Sequence, residues 1–420
     1  MKPAKETADN PRMMRGVSFP FLAEYSRAFT LAVVALLGLA FPLPGMAEEL
    51  SGPGRPGAAT EPVRALWIVR DALTSPASIR RAVDDAANAG ITDLLVQVRG
   101  RGDAYYPSQQ TPVSPLLENA RRKNAGFDPL GLFCELAHTR GMRVHAWLNV
   151  YLVWSRGTPP DGHVLRLHPE WVTVNVSGIP MDALPYRKIE ASEDEGSYLE
   201  PGNREVVAHL NAVVDEILAR YPVDGIHLDY VRYPRMDVGY SEVMRAGFRR
   251  KTGVDPLDLE MHPKQMVNEH GQNGFLGLAR GWRQFKADQV TALVRTLRTT
   301  IEARRPGTLL TAAVRPDPDE ALLHFGQDWV RWVNEGWVDA VAPMMYSTSA
   351  TVVSRQARTI AERVPPERVW AGIAVYNQSV TSAAAKIESV HKAGIGGISI
   401  FSYNSMPGGG RALAMLTGSR

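Results

Sequence analysis

The chain has 420 residues, of which 45% are hydrophobic and 22% are charged, and its formal net charge is only +3. This composition is typical of a globular protein with enough apolar material for a large core, and the small charge gives no reason to expect a nucleic-acid partner. The length is sufficient for an α/β barrel, which takes about 250 residues. With one cysteine, Cys134, the chain cannot form an intrachain disulfide, and that side chain is predicted to be a small buried hydrophobe on a helix.

The N-terminal segment is predicted to be a signal peptide that occupies residues 1–47. An uncharged, mostly apolar run covers residues 29–41, and small residues at 45 and 47 match the pattern that a signal peptidase reads. The run is short for a bilayer span, with an uncleaved N-terminal anchor as the alternative. Residues 48–62 are rich in Gly, Pro and Ala and indicate a flexible linker. We therefore expect a periplasmic or secreted protein with no stable membrane insertion after cleavage.

Strand and helix patterns alternate from residue 63 to residue 416. Eight apolar runs are predicted to be strands, and they cover residues 65–69, 93–98, 144–150, 225–230, 309–314, 340–345, 369–375 and 397–401. Amphipathic helices separate them, and several helices end at a glycine, the residue expected just beyond a helix C-terminus. Buried strands that alternate with helices indicate a parallel sheet covered by helices. Eight such units predict an α/β fold of the (β/α)8 TIM-barrel type, in which Pro343 should mark a bulge or a strand end.

Two long loops are predicted after strands three and four. In a barrel these loops rise from the C-terminal ends of the strands, where α/β barrels place their catalytic groups. Both loops are rich in aromatic and polar side chains, which would suit a carbohydrate surface, although most such rings simply pack a loop onto its barrel. The residues are Tyr151, Trp154, His163, His168, Trp171, Tyr186, Tyr198, Tyr233 and Tyr240.

Asp229 is the first candidate catalytic residue. It ends the apolar strand of the segment Asp224-Gly225-Ile226-His227-Leu228-Asp229-Tyr230-Val231-Arg232-Tyr233-Pro234, at the position where a barrel holds reactive groups. The alternative is a structural carboxylate paired with Arg232 or Arg99. Other strand-end side chains are predicted to bind substrate hydroxyls and ring faces. They are Arg99, His145, Trp147, Asn149, His227, Tyr230, Arg232, Tyr346, Tyr376 and Tyr403.

Several segments, taken in this order along the chain, give a specific pattern. They are RALWIVR, LLVQVRGRGDAYYPS, FDPLGLFCELAHTRGMRVHAWLNVY, HPEW, LEPGN, YPVDGIHLDYVRYP and VDAVAPMMYS. The pattern resembles glycosyl hydrolase-like family ten over about residues 63–405. The resemblance implies a TIM-barrel glycosidase of the kind that acts on peptidoglycan glycan strands in the bacterial envelope. One departure is Glu200, which stands where family members commonly have aspartate before Pro-Gly-Asn, so a catalytic role at that position is doubtful.

A second carboxyl group is needed for glycoside hydrolysis. The largest clan of barrel glycosidases uses glutamates at the ends of strands four and seven, but strand seven here ends in VYNQ without an acid. Four candidates stay open: Asp103, Glu200, Asp317 and Asp319. Asp103 is favoured because Gly100 and Gly102 bracket a turn that can aim its side chain inward.

No cofactor or metal is expected. His227 and Asp229 lie on one strand face and could ligate a metal together with His145, but no His-x-His follows strand one, as it does in amidohydrolase barrels. The sequence thus predicts an exported glycoside hydrolase that acts on a polysaccharide. The alternatives are a metal-dependent polysaccharide hydrolase or deacetylase and a non-catalytic glycan-binding barrel in which Asp229 only hydrogen-bonds sugar.

Overall fold

A computed structural model of the chain describes residues 62–155, 157–184 and 195–418. The predicted signal peptide and nearly all of the predicted linker lie outside these residues, as does Tyr186. Within the described ranges, no helix combines the length and the apolar character that a membrane crossing requires.

The strands alternate with helices in the order that the sequence predicts. In chain order the strands are β1 (Arg64–Ile68), β2 (Asp93–Arg99), β3 (Arg143–Asn149), β4 (Leu152–Trp154), β5 (Ser197–Tyr198), β6 (Gly225–Asp229), β7 (Leu309–Val314), β8 (Ala340–Pro343), β9 (Trp370–Ala374) and β10 (Gly397–Phe401). The helices are Pro76–Asn88, Pro115–Lys123, Pro129–His138, Val164–Leu167, Arg204–Arg220, Glu242–Thr252, Pro256–Met261, Pro263–Arg304, Pro318–Phe325, Trp329–Asn334, Ala350–Ala361, Val380–Lys392 and Gly409–Thr417.

Eight of these strands form a parallel barrel. Their spatial order is β8-β7-β6-β3-β2-β1-β10-β9, and two further parallel bridges, Val341 to Val369 and Met344 to Gly372, connect β8 with β9. The predicted (β/α)8 TIM barrel is confirmed. Strand β8 ends at Pro343, as its missing N–H requires.

The sequence explains why the helices begin and end where they do. The side chain of Asp128 accepts a hydrogen bond from Gly131 N at the start of helix Pro129–His138, and Asn203 caps helix Arg204–Arg220 by accepting one from Glu205 N. Beyond the helix ends, Gly141 adopts a φ of 70°, in the left-handed region that glycine tolerates without strain. The main core lies between these helices and the outward faces of the strands.

The lower half of the barrel interior holds a buried ion pair. Near the N-terminal ends of the strands, Asp93 Oδ1 lies 2.8 Å from His145 Nε2 and 2.8 Å from Arg143 Nε. Gly225 is the register neighbour of His145 on β6. A Cβ atom at Gly225 would come within 2.6 Å of His145 Cε1, so only glycine leaves room for this ring.

Aromatic rings separate this lower half from the C-terminal end of the barrel. The Trp67 ring packs edge-on against Trp147 at 4.7 Å and against His227 at 4.5 Å between centroids. Trp67, Trp147 and Leu95 belong to an interior cluster that is distinct from the core under the helices. This layer forms the floor beneath the strand ends.

The two long loops follow strands β3 and β6, as predicted. The first contains the antiparallel pair β4–β5. The second contains the helices Glu242–Thr252 and Pro256–Met261, which pack with Pro263–Arg304 around a small core of their own that includes Tyr240. Most of the loop aromatics named from the sequence are buried, because they pack the loops instead of facing the cleft. The buried ones are Tyr151, His163, Trp171, Tyr198, Tyr233 and Tyr240.

Candidate active site

Asp229 lies at the C-terminal end of β6 and is 7% exposed. Burial raises the pKa of its carboxyl group from 3.8 to about 7, against the opposing effects of the Arg232 charge and of the Tyr230 backbone N–H, which donates to Asp229 Oδ1 at 2.8 Å. The indole N–H of Trp147 also favours the charged form, although it makes no complete hydrogen bond with a described residue. Near neutral pH a large fraction of Asp229 is therefore protonated and able to donate a proton.

Asn149 is the register neighbour of Asp229 on β3. Its amide is held on both sides: Asn149 Oδ1 accepts from Gln97 Nε2 at 3.2 Å, and Asn149 Nδ2 donates to Gly100 O at 2.7 Å. Gln97 Oε1 in turn accepts from an Arg70 guanidinium nitrogen at 3.2 Å. This network fixes the polar side chains beside the Asp229 carboxyl group.

Aromatic side chains from three strand ends form a wall beside Asp229. The ring of Tyr346 stacks on Phe401 at 5.4 Å, and Tyr376 packs edge-on against both rings at 6.3 and 6.1 Å. Burial raises the pKa of the Tyr346 hydroxyl well above its usual range, and the nearby Asp229 charge raises it further. Both tyrosines are half-buried, so part of each side chain stays accessible, and accessible ring faces can pack on sugar C–H groups.

Tyr230 and Arg232 connect Asp229 to a residue that the sequence did not indicate, Glu195. The Tyr230 hydroxyl donates a hydrogen bond to Glu195 Oε2, and the Arg232 guanidinium lies over the Tyr230 ring at 5.1 Å. Glu195 is exposed, and its negative charge contributes to the raised pKa of Asp229. Sequence reasoning missed Glu195 because it precedes the short strand β5 inside a long loop, away from any barrel strand end.

Among the predicted residues, Trp147, Asn149, Tyr230, Arg232, Tyr346 and Tyr376 are thus brought together around Asp229. The predicted second carboxylate, Asp103, is not placed in the open cleft. It is 1% exposed, accepts a hydrogen bond from Arg101 N at 3.0 Å, and lies near the Arg99 charge. Its turn points it into the protein.

Arg99, predicted to bind substrate, is fully buried. Its guanidinium donates to Asn149 O and to Val150 O, the latter at 3.1 Å. A register shift between Gln97 and Arg99 aligns Arg99 with Leu148, a residue of the outer core. This irregularity directs Arg99 away from the barrel interior.

The structure does not bring three further predicted residues to the cleft. His145 lies in the lower half of the barrel with Asp93. His227 is fully buried one level below Asp229, with its Nδ1 2.8 Å from Thr311 Oγ1. The Tyr403 hydroxyl donates to Asp85 Oδ2 at 2.8 Å, on a helix outside the barrel.

The other acids considered as a second carboxylate have structural partners. Glu200 is buried and accepts hydrogen bonds from Thr173 Oγ1 at 3.0 Å and from the Tyr233 hydroxyl at 2.9 Å. Asp317 caps helix Pro318–Phe325, and the exposed Asp319 lies 3.4 Å from an Arg363 guanidinium nitrogen. Over residues 62–155, 157–184 and 195–418, no three His, Cys, Asp or Glu side chains are grouped closely enough to hold a metal ion.

A parallel eightfold barrel with a protonatable carboxyl group and an aromatic wall at the strand ends has the architecture of the TIM-barrel glycoside hydrolases. The chain belongs to the family described as "Glycosyl hydrolase-like 10", whose model matches residues 62–392. The resemblance found in the sequence motifs is therefore confirmed.

Two relatives illustrate this family. The chain is 28% identical over 362 residues to glycosyl hydrolase DigH of Escherichia coli strain K12. The match covers 76% of this chain and 74% of the relative. It is 25% identical over 287 residues to glycosyl hydrolase YngK of Bacillus subtilis. The match covers 63% of this chain and 48% of the relative. The chain thus corresponds to about half of the Bacillus protein's length.

Solved structures show the same fold. The glycoside hydrolase domain of PgaB (BpsB) from Bordetella bronchiseptica superimposes with a TM-score of 0.65 at 13% identity, covering 84% of this chain and 98% of that one. The catalytic domain of β-amylase from Paenibacillus polymyxa superimposes with a TM-score of 0.53 at 14% identity. The match covers 87% of this chain and 100% of that one.

Proposed function

We propose that the protein is an exported glycoside hydrolase that cleaves glycosidic bonds in a cell-envelope polysaccharide, with the glycan strands of peptidoglycan as the substrate. The observation that carries the proposal is the buried Asp229 carboxyl group, whose pKa is raised to about 7 at the C-terminal end of a barrel strand. A general acid works best when its pKa lies near the working pH. Family membership supports the reaction class, and the motif resemblance to peptidoglycan-acting envelope enzymes supports the substrate.

The residues of the proposed site have separate roles in proton transfer, sugar binding and charge stabilisation. Asp229 in its protonated form donates its proton to the glycosidic oxygen as the bond from that oxygen to the anomeric carbon breaks. The rings of Tyr346 and Tyr376 receive an apolar face of the sugar. The Arg232 guanidinium remains beside the carboxylate that forms on Asp229 and stabilises its charge.

Incubation of purified protein with intact and with peptide-stripped sacculi tests the proposal. We expect soluble sugar fragments with new reducing ends, and we expect the Asp229→Asn variant to lose about 10²-fold or more in turnover, since acid–base groups typically supply 10²–10⁴. The variant should still pellet with the glycan, because it retains the size of the side chain. Pelleting of the wild type without release would identify a glycan-binding barrel, and release that a chelator abolishes and zinc restores would identify a metallohydrolase.

Export is tested separately by mass spectrometry of protein from the envelope fraction. The small residues that precede Glu48 motivate cleavage after Ala47, so the mature chain is expected to begin at Glu48. Intact N-terminal peptides on membrane-bound protein would contradict this part of the proposal.

A further inference from the structure

Glu195 is a carboxylate that lies beside Tyr230 and Arg232 at the C-terminal end of the barrel. It is exposed, whereas Asp229 is buried. The charge of Glu195 acts on the Tyr376 hydroxyl as well as on Asp229 and Tyr230. Residues at the ends of two barrel strands, β6 and β9, therefore lie within reach of this one carboxylate.

The backbone around this contact is held in an uncommon conformation at both ends. Tyr230 has a φ of 51° and Glu195 a φ of 62°. Both values lie in the left-handed region, which residues other than glycine and asparagine seldom adopt. Such conformations are unfavourable and persist where the surrounding structure enforces them, frequently at functional sites. Here they aim the Tyr230 hydroxyl at Glu195 Oε2.

We infer that Glu195 is the second carboxylate of the site and acts as the base that activates water opposite the Asp229 acid. This inference rests on the proposed glycosidase function. In the reaction, a water oxygen bonds to the anomeric carbon as the glycosidic bond breaks, Glu195 takes a proton from that water, and Asp229 gives its proton to the departing oxygen. Both products leave with a hydroxyl group, and proton exchange with solvent restores the two carboxyl groups. Exposure of Glu195 makes water available to it.

The competing acids do not fit this role. Asp103 and Glu200 are each 1% exposed, and Glu200 already accepts two hydrogen bonds from protein hydroxyl groups. Asp317 is bound to the first backbone N–H groups of its helix. Glu195 combines exposure to solvent with a direct hydrogen bond from the residue that follows Asp229.

The test compares Glu195→Gln and Glu195→Ala with a matched control, Glu170→Gln. Glu170 lies in the same long loop and is also exposed, but its partner is His168, away from the site. We expect the two Glu195 variants to lose about 10²-fold or more in turnover with unchanged melting temperature and glycan binding, while Glu170→Gln keeps wild-type turnover. Added azide should partly restore Glu195→Ala by attacking the anomeric carbon directly, giving a glycosyl azide product that a purely structural role would not produce.

A second readout is the pH profile of the residual activity. Because the Glu195 charge raises the pKa of Asp229, its removal should move the alkaline limb of the profile to lower pH. Wild-type release together with near-normal turnover of Glu195→Gln would overturn the assignment of Glu195 and leave the proposed function standing. Absence of release by the wild-type protein from every sacculus preparation would overturn both.

Discussion

Replacement of Asp229 by asparagine should make the stability of the protein less sensitive to alkaline pH. Burial raises the pKa of this carboxyl group from 3.8 to about 7, so the folded protein binds this proton more tightly than the unfolded chain does. A raised carboxyl pKa means that stability falls as pH rises from the unfolded value through the folded one. Ionising Asp229 in the folded protein therefore costs up to about 4 kcal/mol above pH 7.

The magnitude can be measured as a difference between two pH values. From pH 5 to pH 8 the wild type should lose about 2–3 kcal/mol through Asp229 alone, and Asp229→Asn should not show this loss. Urea unfolding of both proteins at the two pH values gives the difference, and Asp317→Asn, which keeps a capping side chain on an exposed helix end, is the control. An equal gap between wild type and Asp229→Asn at pH 5 and pH 8 would refute the reasoning.

Three further substitutions test other contacts. Tyr230→Phe removes the hydroxyl that donates to Glu195 and should lower kcat/KM about tenfold, a loss of about 1.4 kcal/mol in transition-state stabilisation. Asp93→Asn breaks the buried pair with His145 and should cost about 3–5 kcal/mol in urea unfolding; a loss below about 1 kcal/mol would contradict the account of the lower barrel. Gly225→Ala forces a Cβ atom against the His145 ring and should lower the free energy of unfolding by about 1–3 kcal/mol. Its control is Gly277→Ala, where the new Cβ atom meets no neighbour within 4 Å. In the same assay this control should be neutral or stabilising by up to about 1 kcal/mol.

The barrel could be predicted from the sequence because its local signals agree with the fold. Apolar runs located each barrel strand to within one or two residues, and the position of Pro343 marked the end of β8. Glycines such as Gly141 marked the turns after helices. Asp229 was predicted from its place at a strand end, which depends only on chain order.

The rest of the site depends on features that spacing does not encode. Gln97 and Arg99 lie two residues apart on β2, so a regular strand would place both side chains on the same face. The register shift between them turns Arg99 toward the outer core instead. The side chain of His145 faces the barrel interior, as its position along the strand predicts, but it pairs with Asp93 near the N-terminal ends of the strands, away from Asp229. Glu195 approaches Asp229 only through the path of a long loop, and no local pattern records that path.

The layer of Trp67, Trp147 and His227 divides the barrel interior into an upper and a lower compartment. Below it, the Asp93 ion pair and the close fit at Gly225 secure the fold. Above it, the burial of Asp229 makes ionisation of its carboxyl group unfavourable, as its raised pKa shows. A designer could exchange other parts of the loops after β3 and β6 to recruit a new glycan, provided that Glu195, Tyr230 and Arg232 and the lower compartment are kept. Selection acting on such a barrel would tolerate variation in the upper loops outside Asp229, Glu195 and their partners, and little variation below the layer.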